Sequence, residues 1–215
     1  MRAVPASLAF GVVLSGCGKL EALDFQPGLD PLEPNAVDCP SGPGAGFVSE
    51  SGEDDDLAWT NGCGVVEGAL EDVYAALQDT KVAVDQRGVD VWERTDDVEP
   101  EYEASFALWN TVYDLIEVEF ETTWRLGPLA ADDANVITEY GVRYQMTVAP
   151  PVINTMEGSV HAVDRGDGTV ELRIVDRLDA LQGGTDITGP KAADLYNDVR
   201  VVLEGGVPPD YADEG

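Results

Sequence analysis

Residues 116–127, IEVEFETTWRLG, carry the pattern that decides the fold. Ile116, Val118, Phe120, Thr122 and Trp124 fall on one side of an extended chain, and Glu117, Glu119, Glu121 and Arg125 fall on the other. A period of two with acid on one side is a strand with one face in a core and one in water. The next stretch repeats the logic. Thr138, Tyr140, Val142, Tyr144, Met146 and Val148 alternate with Glu139, Arg143, Gln145 and Thr147 until Pro150 and Pro151 interrupt. Met156, Gly158, Val160 and Ala162 then alternate with Glu157, Ser159 and His161, and the turn from Asp164 to Gly168 leads into Val170, Leu172 and Ile174, opposite Glu171, Arg173 and Val175. Gly and Asp between two alternating runs mark a hairpin.

Helical spacing flanks these strands. Val66, Ala69, Leu70, Val73 and Leu77 recur on one helical face, which predicts a helix over 65–78 stopped by Asp79 and Thr80. Val82 to Val84 and Val89 to Trp92 read as short strands. A closing helix is expected over 190–203, entered through Thr188, with Ala192, Leu195, Tyr196, Val199 and Leu203 on one face and Gly205 and Gly206 after it. A helix, a run of antiparallel strands and a closing helix make an α+β order in which the last helix lies across a curved sheet. No internal repeat is visible.

The amino terminus reads MRAVPASLAFGVVLSGC over residues 1–17: one charge at Arg2, an apolar stretch from Ala3 to Leu14, then small residues. That stretch falls short of the ~20 apolar residues a bilayer core requires and has the layout of a secretory signal peptide. Leu14, Ser15, Gly16 and Cys17 resemble a lipobox. The resemblance implies a diacylglyceryl thioether on Cys17 and cleavage before it. Gly18, and the absence of Asp after Cys17, resemble lipoproteins sent to an outer membrane. Residues 1–16 are therefore expected as signal peptide, and the mature protein as a lipid-anchored component of the cell envelope.

From 17 to 56 the chain is rich in Pro, Gly, Ser and acid, including PGLDPLEP and CPSGPGAG, and it ends on the run Glu53 to Asp56. Such composition buries little apolar surface, so it is expected as a spacer that lifts the domain off the membrane. The domain is expected over 57–207 and an acidic tail over 208–215. Gly42, Gly44 and Gly46 do not make a phosphate loop, since no strand precedes them and Pro43 interrupts them.

Acidic residues number 42 against 12 basic ones, for a formal net charge of -30. That balance excludes a nucleic-acid partner, because such binding rests on Lys and Arg neutralising phosphates. The acidity reads as a solvated surface. Beyond Cys17 stand Cys39 and Cys63, an even pair in a compartment that permits disulfides. A bridge between them would stabilise by roughly 3 kcal/mol in the chain-entropy picture. Neither has a CxxC neighbour or a His partner, so no metal site is expected.

Little here suggests catalysis. His161, the sole histidine, sits on the polar side of its strand beside Ser159 and Glu157, where a solvated ring is the simpler reading than a general base. The acids Asp164, Asp167 and Asp176 fail the spacing of an EF-hand loop, and the Arg165-Gly166-Asp167 tripeptide is accounted for by turn chemistry. No GxSxG, HExxH or phosphate-loop pattern occurs.

The segments VVEGALEDVYAALQD, IEVEFETTWRLG, MEGSVHAVDRGDGTVELRIVDRLDA and KAADLYNDVRVVLEG, spread over residues 57–206, resemble in their order the START-like helix-grip (SRPBCC, polyketide cyclase-like) superfamily. The resemblance implies a curved antiparallel sheet wrapped around a long C-terminal helix, enclosing a cavity for apolar or amphipathic molecules. Its lining is expected from the inward side chains Phe120, Trp124, Tyr140, Tyr144, Met146, Leu172 and Tyr196. Catalytic residues differ from branch to branch of the superfamily, so none carries over, and no cofactor is implied. Three readings stand at this point: a lipid-anchored domain binding a hydrophobic small molecule or lipid, a closed-core interaction module of the envelope, and an enzyme on a lipid or polyketide-like substrate. An apolar cavity of about 300 Å³ or more separates the first from the second.

Overall fold

Alternation of the kind seen in residues 116–127 runs through most of the molecule. The computed structural model describes residues 19–33, 35–113, 117–181 and 183–209. Ile116, the signal peptide expected over 1–16, Cys17, expected to accept lipid, and residues 210–215 of the expected tail lie outside them. The strands are β1 (Glu21–Ala22), β2 (Phe47–Asp54), β3 (Leu57–Glu67), β4 (Val91–Asp96), β5 (Ala104–Tyr113), β6 (Glu117–Ala131), β7 (Ile137–Ala149), β8 (Ile153–Asp164) and β9 (Thr169–Ala180). The helices are α1 (Leu70–Ala76), α2 (Thr80–Ala83) and α3 (Thr185–Leu203), with a single 3-10 turn at Pro43–Ala45. All strands pair antiparallel, in the order β2, β3, β9, β8, β7, β6, β5, β4, and β1 adds to β7. The sheet curves around α3, which lies against β2, β3 and β9. The fold is α+β, a curved antiparallel sheet gripping a long C-terminal helix.

The inward parity of β6 to β9 is as expected: Phe120, Trp124, Val142, Tyr144, Val160, Leu172 and Ile174 are buried. Two local features make this parity work. Gly158 leaves the space that the Tyr144 ring occupies, since a methyl there would overlap it. Gly166 and Gly168 take positive φ in the β8–β9 turn, where Asp164 Oδ1 accepts from the Gly166 N–H at 2.8 Å.

Four sequence expectations are corrected. The helix expected over 65–78 is a strand as far as Glu67, and α1 starts at Leu70; Val65 and Val66 pair with Glu171 and Val170 and are both buried, as β-branched residues in a central strand are. Residues 82–84 belong to α2 and its C-cap, because Asp79 Oδ1 accepts from the Lys81 N–H at 2.8 Å and starts a helical turn. The strand expected at 89–92 begins at Val91. The closing helix begins at Thr185, and Thr188, expected to cap it, is buried inside it with its hydroxyl 2.8 Å from that of Thr60 on β3.

The expected spacer over 17–56 is the largest departure. Residues 47–54 form β2, and the acidic run ends that strand with Glu53 and Asp54 and makes its hairpin turn with Asp55 and Asp56, both at positive φ. Residues 23–33 and 35–37 cross the outer face of the sheet as a strap. Leu29 settles over Gly127 and Gly141, which face each other across β6 and β7 and carry no side chains to block it. Arg143 donates to the Asp30 carbonyl at 3.1 Å, Arg177 to that of Glu33 at 2.5 Å and Arg173 to that of Val37 at 3.2 Å. The Arg125 guanidinium lies under the Phe25 ring, 2.7 Å from its centroid, and pairs with Glu99. Arg125 was expected in water and is 0% exposed. The strap holds on through its backbone carbonyls, which accept from arginines on the outer face of the sheet, and through the apolar side chains of Phe25 and Leu29. A disulfide joins Cys39 to Cys63 across a separation of 24 residues, with Cα atoms 5.1 Å apart, and fixes the end of the strap to β3. Among the described residues no helix is long and apolar enough to cross a membrane.

Candidate ligand cavity

A cavity of about 660 Å³ opens at the end of the sheet where β5 and β9 finish and β6 and β8 begin. Its walls are Phe120, Thr122 and Trp124 of β6, Tyr144 of β7, Met156 of β8 and Leu178 of β9. Val112, Val118, Val152, Leu181 and Ile187 reach it from the strand ends and the start of α3. Of the expected lining, Phe120, Trp124 and Tyr144 are on the wall. Tyr140, Met146, Leu172 and Tyr196 are not. Tyr140 stacks on Tyr74 of α1 at 3.9 Å between centroids, and Tyr196 stacks on Phe47 at 5.3 Å and donates to the Val65 carbonyl at 3.0 Å. Met146 and Leu172 are fully buried in the core. The cause is α1 and the C-terminal half of α3, whose side chains fill the other end of the sheet and confine the open space to one end.

The cavity has a polar cluster that strand parity foreshadows. On β9 the inward positions run Val170, Leu172, Ile174, Asp176 and Leu178. A carboxylate among them must find partners. Asp176 Oδ1 accepts from Tyr144 Oη at 2.5 Å and from Lys191 Nζ at 2.9 Å, and that ammonium stands 4.7 Å from the Tyr144 ring centroid. Burial, and then the Asp176 charge, push the Tyr144 phenol well above its usual range, so it stays a neutral donor. Tyr144 stacks on Trp124 at 4.4 Å, and the Trp124 indole N–H has no protein partner among the described residues. Asn110 Nδ2 donates to the Leu108 carbonyl at 2.9 Å and reaches Thr122 Oγ1 at 3.4 Å. Asp85 faces the same space from beyond α2. Sequence reading missed Asp85, Asn110 and Lys191, which lie in a loop, a strand and a helix with no shared motif.

Asp85 is half-buried at the cavity wall, and burial raises its carboxyl above the usual 3.8, with Lys191 partly offsetting the rise. The ionised form is thus disfavoured by folding. The residue costs nothing below the ordinary carboxylate range and destabilises increasingly as pH climbs through its raised value. Asp85→Asn is expected to raise the melting temperature at pH 7 by a few degrees, at about 2–4 °C per kcal/mol for a chain of this size. Melting curves as a function of pH should show this gain shrinking toward zero below pH 3.8; a gain that persists unchanged in acid would overturn the assignment.

The acidic groups around the cavity are Asp85, Asp176 and Asp186, against one ammonium, Lys191, which Asp176 already neutralises. The field inside is negative and disfavours an anionic head group. Outside the cavity, His161 Nε2 lies 2.8 Å from Glu139 Oε2 on the outer face of the sheet. Cys39, Cys63 and Glu171 lie close together, but the oxidised pair offers no thiolate to a metal.

No family model and no curated protein matches the chain. Solved structures do. The chain is similar to human StAR-related lipid transfer protein 5, at 12% identity over 74% of this chain and 83% of that one, with a TM-score of 0.50. It is also similar to the lipid transfer and protein localization domain of human StarD13 (11% identity, 73% and 87% covered, TM-score 0.48). A third likeness is to the Zhui aromatase/cyclase of Streptomyces sp. R1128 (13%, 69% and 87%, TM-score 0.41). With the first of these the chain shares its architecture, a curved antiparallel sheet gripping a long C-terminal helix. At such identities the likeness is one of fold.

Proposed function

We propose that this chain is a lipoprotein of the cell envelope, lipidated at Cys17 and set in the outer membrane, whose helix-grip domain binds a hydrophobic or amphipathic small molecule or lipid with a neutral or cationic head. The observation that carries this reading is the cavity. Its 660 Å³ falls within the roughly 300–1,000 Å³ of small-molecule sites, and its apolar walls converge on a few polar groups. A closed-core interaction module is less well supported by a cavity of that size. Tyr144 and Lys191 are both committed to one oxygen of Asp176, which favours binding over acid–base chemistry. The Trp124 N–H, unpaired among the described residues, and the Asp85 carboxyl, whose Oδ1 also accepts from the Arg87 N–H at 3.2 Å, face the cavity and can orient a head group.

Native mass spectrometry of protein purified from its host tests the reading directly, since a retained small molecule appears as added mass. Titration with neutral Nile red gives a quantitative measure. Val118→Trp, at the cavity wall and half-buried, is expected to weaken that binding about tenfold or more, the equivalent of about 1.4 kcal/mol, with little change in melting temperature. An anionic naphthalene sulfonate should bind more weakly than Nile red. Equal Nile red affinity in Val118→Trp and in the unaltered protein would remove the cavity as the site.

A further inference from the structure

The path of the chain into the domain bears on which way the cavity faces. β7 and β8 stay paired from Glu139 to Gln145 on the β7 side, and beyond that point β1 takes the place of β8 beside Val148 and Ala149. Glu21 pairs with Ala149, and Leu23 N–H donates to the Thr147 carbonyl at 2.9 Å. β1 is thus built into the end of the sheet that carries the cavity mouth, next to Val152 and Ile153. Residues 18–20 alone separate Cys17 from Glu21, a span of at most ~14 Å even when fully extended. Because residues 23–33 and 35–37 are strapped to the sheet, they supply no spacer between anchor and domain.

The same end is apolar on its outside. Leu181 is 79% exposed, Tyr113 59%, Val91 47% and Ile187 37%. Leu181 and Ile187 line the mouth itself, and Tyr113 follows Val112 of the wall, its N–H donating to Asp90 next to Val91. The other exposed large apolar residues, Val48, Val98, Val136 and Val207, are scattered over separate elements, as single apolar residues commonly are. The exposed cations of this end, Lys19 and Arg87, are outnumbered by its exposed carboxylates, Glu21, Asp90, Glu117 and Asp186. An anionic surface would repel them, whereas an uncharged or zwitterionic one would not.

We propose that the cavity opens against the bilayer, its rim of Val91, Tyr113, Leu181 and Ile187 resting on an uncharged or zwitterionic membrane surface, so that ligand passes between lipid and cavity without crossing bulk water. This rests on the anchoring at Cys17 proposed above. The short link from anchor to β1 holds the mouth at the surface, and the rim buries its apolar side chains there.

The test uses the lipidated full chain reconstituted in phosphatidylcholine–phosphatidylethanolamine vesicles. Single cysteines in Tyr113→Cys, Leu181→Cys and, at the opposite end in the β8–β9 turn, Arg165→Cys carry an environment-sensitive fluorophore. All three positions are exposed, so the fold is not at risk. Labels at 113 and 181 are expected to shift to the blue and to lose intensity when nitroxide lipids are added, and the label at 165 to do neither. Incorporation of labelled palmitate reads the anchor separately. Palmitate present with no quenching at 113 and 181, or with quenching at 165 instead, overturns the orientation and leaves the anchor standing. Palmitate absent overturns the anchor and the orientation with it.

Discussion

Replacing Asp176 with alanine is expected to destabilise the domain by roughly 3–5 kcal/mol, the cost of leaving a buried charge without its partner. The carboxylate side chain is 2% exposed and that of Lys191 12%. Its removal leaves the Tyr144 hydroxyl without its acceptor and the Lys191 ammonium without its hydrogen-bonded carboxylate, with the Asp85 charge remaining nearby. Urea unfolding followed by tryptophan fluorescence should show a lower midpoint with little change in slope. Asp176→Asn keeps an acceptor for Tyr144 and loses the charge, so its midpoint should fall between the two. Adding Lys191→Met to an Asp176→Leu variant removes both charges and should recover much of the loss, since an apolar pair of similar volume is often neutral or better. A loss under about 1 kcal/mol in Asp176→Ala would mean that cavity water solvates the ammonium, as at an exposed ion pair.

Cys17→Ser is expected to release most of the protein from the membrane. Each buried methylene of an acyl chain contributes about 0.8 kcal/mol, so two or three long chains hold a protein where one gives marginal binding. The domain should be unaffected, because the strap, β1 and the disulfide all lie downstream of residue 18. Fractionation after carbonate washing, with a melting curve of the released protein, separates loss of anchoring from loss of fold. The unaltered protein should incorporate labelled palmitate and partition into detergent. No label, together with a mature amino terminus other than residue 17, would overturn the anchoring.

Both predictions turn on features that differ in how far they can be read from the chain alone. The strands of the hairpin at 153–180 and the faces of β6 and β7 were legible because strand parity is local: each residue's side is set by its neighbour. Helix boundaries were less so. Val65 and Val66 fit the helical period of Leu70, Val73 and Leu77, and pairing with β9 in the sequence's last third drew them into a strand. The strap was illegible for a related reason. Its composition is that of a spacer, and what holds it is a set of four arginines on strands 100 or more residues away.

The sequence by itself determined the α+β class, the hairpin and the inward aromatics of β6 and β7, all of which follow from short-range patterns along the chain. Only the tertiary structure decided where open space remains. Whether an inward residue lines a cavity or a core depends on what packs opposite it: Tyr74 of α1 covers Tyr140, Phe47 of β2 covers Tyr196, and neither α1 nor the C-terminal half of α3 reaches the end beside Trp124. Asp85, Tyr144, Asp176 and Lys191 likewise meet only because sheet curvature brings a loop, two strands and a helix to one point, and no local pattern encodes a meeting of that kind.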